Sequence, residues 1–139
     1  MKLSVKSDYA ARAILTLARY YPSGTTRRVE EMAAEQGLSA NYLVQILLEL
    51  KAKQIVKSQR GKDGGYMLAR SPAEITMGDV LRAMHGELLD TPAIHDPQCP
   101  VELRHAWQKL QKILESTADQ ISFQQLLDES AAKEKMYYI

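Results

Sequence analysis

EEMAAEQGLSANYLVQILLELKAKQIVKSQRGKDGGYML, running from Glu30 to Leu68, is the stretch that decides the fold. It divides at Gly37-Leu38-Ser39. Gly37 follows the polar pair Glu35-Gln36 and can adopt the left-handed conformation that closes a helix, and Ser39 can cap the next helix by accepting from its free N–H groups. Val29, Met32 and Ala33 fall at helical spacing before the turn, and Leu43, Ile46, Leu47 and Leu50 form an apolar face after it. The spacing predicts a tight helix-turn-helix. Ala40, Asn41, Tyr42, Val44 and Gln45 are then left on the outer face at the start of the second helix, where a recognition helix reaches base edges in a major groove. Asn41 and Gln45 are the natural readers. Beyond Lys53 the pattern turns from helical to alternating, with Val56 and Ser58 on an outgoing strand and Tyr66 and Leu68 on a returning one. The hairpin tip carries Arg60 and Lys62, with Gly64 and Gly65 expected to supply positive-φ conformations and to leave little bulk beside the cations. A cationic tip suits the enhanced negative potential of a narrow minor groove. A glycine-rich surface turn with incidental charge is the plainer account of the hairpin alone; joined to the helix-turn-helix, it reads as a winged helix that binds double-stranded DNA.

The composition supports this through its distribution. Residues 1–85 hold 13 Lys plus Arg against 8 Asp plus Glu, a balance of +5, while residues 86–139 hold 5 against 9, a balance of −4. The basic half contains the hairpin, and phosphate contact depends on local cation density rather than on the net charge of +1. A length of 139 residues suits one domain or two lobes sharing a helix. No apolar run approaches the ~20 residues of a membrane span, and the N-terminus lacks the apolar stretch of a signal peptide, so a cytoplasmic protein with no membrane partner is expected. The single cysteine, Cys99, cannot form an intrachain disulfide.

Working outward, Ser7 or Asp8 is expected to open a helix that buries Tyr9, Ala10, Ala13, Ile14, Leu17 and Ala18 and ends at Pro22 and Gly24. Thr76 can cap a short helix with Val80, Leu81 and Met84 as its stripe, closing at Gly86. The expected division is therefore a reading domain over 1–86, a Pro-rich linker or sensor loop over 87–100, and helices over 101–139. In the last part Leu103, Trp107, Leu110, Leu114, Thr117 and Ile121 make a heptad-like seam widened by Ala106 and Ile113. Such a seam must bury against the rest of the fold or a second subunit, and the dimer fits a reader of two half-sites. Ser122 with Gln125 resembles a capping box for a last short helix holding Phe123, Leu126 and Leu127. The fold class is mainly α: a winged helix-turn-helix with a small β-hairpin wing and a long C-terminal dimerisation helix.

The wording of residues 39–45, SANYLVQ, and 60–70, RGKDGGYMLAR, resembles the Rrf-two-type bacterial regulators, which include iron–sulfur cluster, nitric-oxide and cysteine-metabolism regulators. The resemblance runs from Leu3 through Ile75–Val80 to the Trp107 helix, and the Gly-Gly-Tyr wing is its most specific part. It implies a homodimeric transcription regulator, most simply a repressor, with Ser39, Asn41, Tyr42 and Gln45 at the contact positions of the recognition helix and Arg60 entering the minor groove. Val44 departs from members with a polar residue there and offers only apolar contact, for example to a thymine methyl. Arg28 stands where a serine-like cap is expected, and is either a phosphate contact or an exposed cation.

Many relatives hold an iron–sulfur cluster through three closely spaced cysteines, whereas this chain has Cys99 alone. A cluster would need help from His95, Glu102, His105 or a partner's Asp8, and no cofactor is predicted. Cys99 is otherwise a redox switch, an inert small hydrophobe, or a weak zinc ligand with His95 and His105, or else the signal is a regulatory protein partner. Cys99 and His105, six residues apart, do not share a helical face, so no enzyme is predicted. The second function class is a protein-docking adaptor that keeps the winged fold without DNA binding, a reading that Val44 and Arg28 permit.

Overall fold

The computed structural model describes residues 3–137, which form six α-helices and one two-stranded sheet. α1 spans Val5–Tyr20, α2 Val29–Gln36 and α3 Ala40–Ala52; β1 (Val56–Gln59) and β2 (Gly65–Leu68) follow, then α4 (Met77–His85), α5 (Val101–Gln120) and α6 (Phe123–Tyr137). Among the described residues no helix is long and apolar enough to cross a membrane.

The turn between α2 and α3 forms as its residues dictate. Gly37 takes φ +66°, and the N–H of Leu38 reaches back to the carbonyl of Ala33 at 3.0 Å. Ser39 Oγ accepts from the N–H of Tyr42 at 3.1 Å, and Leu43, Ile46, Leu47 and Leu50 are fully buried. At the other end of α3 the chain leaves through Gln54, a non-glycine at φ +62°, where the N–H of Ile55 still reaches the carbonyl of Leu50. β1 and β2 then pair antiparallel with Val56 opposite Leu68 and Gln59 opposite Gly65.

α1 begins earlier than its sequence suggests. Ser4, rather than Ser7 or Asp8, is the cap, accepting from the N–H of Ser7 at 3.3 Å. Ser7 is buried one turn into the helix, where its hydroxyl meets His85, so a residue that looks like a cap serves a long-range contact. Thr76 and Asp79 complete a capping box at the start of α4, with each side chain accepting from the other's backbone N–H at 3.2 and 3.0 Å.

The helix after the long one is not short. α6 runs 15 residues from a Ser122–Gln125 capping box, and it packs on α1, placing Phe123 fully buried in the core with Ile14, Met32 and Leu47. An isolated antiparallel bridge between Thr76 and Ser122 fixes that return: the N–H of Met77 donates to Ile121 and the N–H of Phe123 to Ile75, both at 2.9 Å. Arg82 on α4 reaches Asp119 at the end of α5 beside it, and the hydrogen bond it donates to the Asp119 carboxylate is the main reason its guanidinium is held above its ordinary pKa. Ile121 lies past the end of α5, so the heptad-like seam stops inside the helix.

The segment between α4 and α5 is an ordered connection rather than a loose tether. Leu88 is buried, Thr91 caps a 3₁₀ turn over Pro92–His95, and two α5 side chains hold the segment down. Gln111 donates to the carbonyl of Leu89 at 2.9 Å, and Arg104 donates to those of Asp96 and Cys99 at 2.7 and 3.1 Å.

Candidate nucleic-acid interface

The first two turns of α3 present Asn41, Tyr42 and Gln45 to solvent, with Leu48 exposed further along. Val44 differs from the expectation of an outer-face residue: it is half-buried, because the helix rotates it toward the shoulder of the core face. Ala40 is likewise half-buried and packs on the core. Tyr42 does not swing freely. Its ring meets Tyr9 of α1 edge-on with centroids 5.9 Å apart, and Arg12, itself paired with Asp8 at 2.9 Å, lies 5.6 Å from the centroid of Tyr9. A rigid aromatic support thus fixes the direction of the helix's leading side chains.

The wing places Arg60 and Lys62 at an exposed tip. Its glycines divide the work differently from the expectation. Gly61 (φ +105°) and Gly65 (φ +149°) hold the positive-φ positions, while Gly64 does not. Gly64 is required for space: a Cβ there would lie 2.6 Å from the carbonyl oxygen of Gln59. At Gly65 a Cβ would lie 2.5 Å from the carbonyl oxygen of Arg27, because Arg27 and Tyr66 exchange backbone hydrogen bonds of 2.8 and 2.7 Å and form a one-residue third strand.

Arg28 is the N-cap residue of α2 with no side-chain cap bond, and its guanidinium donates instead to the carbonyl of Lys62 at 2.8 Å. Thr26 donates to the carbonyl of Asp63 at 2.7 Å. Both strap the wing tip to the segment before α2. Arg27, which sequence reasoning passed over, is the hub of this junction: it stacks over Tyr20 at 4.5 Å and pairs with Glu31 at 3.0 Å and with Glu35. Its signal was present as glutamates four and eight residues on, at successive turns of α2. Lys51 of α3 ties the outgoing strand through Ser58 at 2.7 Å.

The sensor candidates are not brought together within one protomer. Asp8 belongs to the Arg12–Tyr9–Tyr42 cluster, His95 ends the 3₁₀ turn, His105 is exposed on α5, and the thiol of half-buried Cys99 faces the carbonyl of Pro100 at 3.6 Å. Among the described residues no three His, Cys, Asp or Glu side chains form a group able to hold a metal ion. The donors of a single protomer therefore do not fit an iron–sulfur cluster.

On α5, Trp107 and Leu114 are half-buried, whereas Leu103 (45%), Leu110 (52%), Ile113 (54%) and Val101 (54%) are exposed. Ala118 is the buried residue of this 20-residue helix.

A helix-turn-helix with a strapped wing and an apolar long helix defines a class of transcriptional regulator, and comparison with known proteins narrows it. The family model Rrf2, described as an iron-dependent transcriptional regulator, matches residues 3–129, and the chain belongs to the Rrf2 family. CymR of Bacillus subtilis is 28% identical over 99% of this chain and 97% of its own length, and its solved structure, described as that of the global cysteine regulator, superposes with a TM-score of 0.79 at 25% identity over 93% of this chain and 98% of that one. The solved T. potens IscR gives a TM-score of 0.76 at 32% identity over 94% and 88% of the two chains. Two Mycobacterium tuberculosis proteins are 44% identical over 88 residues, 63% of this chain and 54% of theirs, so the match spans about half the length of those relatives.

Proposed function

We propose that the chain acts as a homodimeric, sequence-specific DNA-binding repressor that reads the two half-sites of a palindromic operator. The observation that carries this reading is the N-terminal half of α3: Ser39 caps it, Tyr9 braces it, and Asn41, Tyr42 and Gln45 stand exposed beside a strapped cationic wing. Asn41 and Gln45 offer bidentate amide contacts to adenine, Val44 reaches at most a thymine methyl, and Arg60 enters the minor groove while Lys62 meets phosphate. Arg28 acts by holding the wing in place, since its guanidinium already serves the carbonyl of Lys62. Leu103 and Leu110, with Trp107 and Leu114 at the edge of the contact, form the seam between subunits. In this scheme residues 1–86 read, 87–100 connect and 101–139 pair the subunits in a cytoplasmic protein. Similarity to CymR and IscR supports a transcriptional role, and no catalytic step is assigned to Cys99 or His105. What modulates binding, including a regulatory protein partner, is left to the inputs that α5 and the connection receive.

Fluorescence anisotropy against the DNA upstream of the gene itself tests the proposal. A salt-sensitive preference of at least a hundredfold over random duplex is expected. Equal affinity for both duplexes would overturn sequence-specific binding, and a pull-down whose partners survive nuclease would favour the adaptor.

A further inference from the structure

A cavity of about 400 Å³ opens where four segments meet: Leu3 ahead of α1, Leu81 and His85 on α4, residues 87–90 of the connection, and Leu114 midway along α5. It is a cleft open to solvent at the exposed residues Leu3, His85, Glu87 and Asp90, and its volume lies in the size range of small-molecule sites. It is built rather than left over. Leu88 is buried in its wall, Gln111 holds the carbonyl of Leu89, and His85 is fixed through Nε2 to the hydroxyls of Ser7 and Ser4 at 2.5 and 3.2 Å. Gly86, at φ +80° and ψ −131°, makes the sharp exit from α4 that turns Leu88 and Leu89 inward.

The chemistry of the lining defines what fits. Five leucines make the walls, the polar residues of the lining are His85 and the two acidic residues Glu87 and Asp90, and neither Lys nor Arg is among them. An anionic head group would face two like charges, whereas a cationic one would be complementary. We infer that this cavity binds a small molecule with an apolar body and a protonated amine head, placed against Glu87 and Asp90. The inference does not rest on DNA binding, because the site lies at the junction of α4 and α5 and its occupancy is measured without DNA.

The test is isothermal titration calorimetry of the full chain with octylamine, 1-octanol and octanoate at neutral pH, each kept below its aggregation concentration. Octylammonium is expected to bind saturably at one site per chain and about tenfold more tightly than the alcohol, the return of two partly solvated ion pairs. The double variant Glu87→Gln, Asp90→Asn should remove that tenfold advantage and leave octanol binding unchanged, and both positions are exposed, so folding is not at stake. Leu81→Trp should abolish binding of all three by filling the space. Absence of saturable binding by any probe overturns the site, as a second copy of the chain covering it would cause, and octanoate binding as tightly as octylammonium overturns the charge assignment.

Discussion

α3 and α5 are both amphipathic helices, but they spend their apolar residues differently. In α3, 13 residues long, Leu43, Ile46, Leu47 and Leu50 are all fully buried within the protomer. In α5, 20 residues long, Leu103, Leu110 and Ile113 remain about half exposed. Monomeric proteins seldom leave such a row of large apolar side chains in water. A helix whose stripe is satisfied at home stabilises the protomer, and in the proposed dimer the one whose stripe is left open stabilises the assembly.

The largest effect should come from setting these two helices against each other. Leu47→Ala is expected to cost about 2–5 kcal/mol of folding stability, whereas Leu110→Ala should cost under ~0.5 kcal/mol when both are read by urea denaturation at a concentration where the chain is monomeric. Similar losses would erase the contrast. The next effect belongs to α5 alone: Leu103→Glu with Leu110→Glu should weaken self-association by on the order of 3 kcal/mol, read by sedimentation equilibrium, with the helical circular dichroism of the protomer kept. A pair of variants that unfolds the monomer instead would place those leucines in its core.

Arg60→Ala probes the reading side, with an expected loss of ~1–3 kcal/mol in DNA affinity and no change in self-association. Arg28→Ala should lose less, because it slackens the wing tip without removing a groove contact, and an Arg28 effect larger than that of Arg60 would reverse their roles. The smallest effect is a gain. Gln54→Gly relieves a left-handed backbone at the end of α3 and should raise stability by ~0.5 kcal/mol in the same denaturation assay, a difference with no counterpart on the α5 side.

What was legible in the sequence follows the range over which each interaction acts. Gly37, Ser39, Thr76 and the Ser122–Gln125 box act within four residues, and each forms as the local spelling indicates. The α3 stripe and the two strands of the hairpin are also local, since periodicity marks them before any tertiary contact. The rest depended on distant partners. Ser7 looks like a cap until His85, 78 residues away, is brought to it, and Gly65 looks like a turn residue until the carbonyl of Arg27 crowds it. Arg27 joins Tyr20, α2 and β2 at once, so no single window of sequence contains its role. The candidate readers on α3 and the wing were visible as exposed polar residues on a predicted element. The bracing of Tyr42 by Tyr9 was not, because it crosses between helices.

The bridge at Thr76–Ser122 and the ion pair of Arg82 with Asp119 have a mechanical consequence. They root α5 at its C-terminal end, while its N-terminal half is held to the 87–100 segment through Arg104 and Gln111. A 20-residue helix is about 30 Å long, so a tilt of about five degrees at the root sweeps the far tip through roughly 3 Å. In the proposed dimer, two such levers crossing one another would convert a small adjustment beside α4 into a change in the separation of the two α3 helices. The chain would then measure the pitch of its operator as a caliper does, from a joint well away from the jaws.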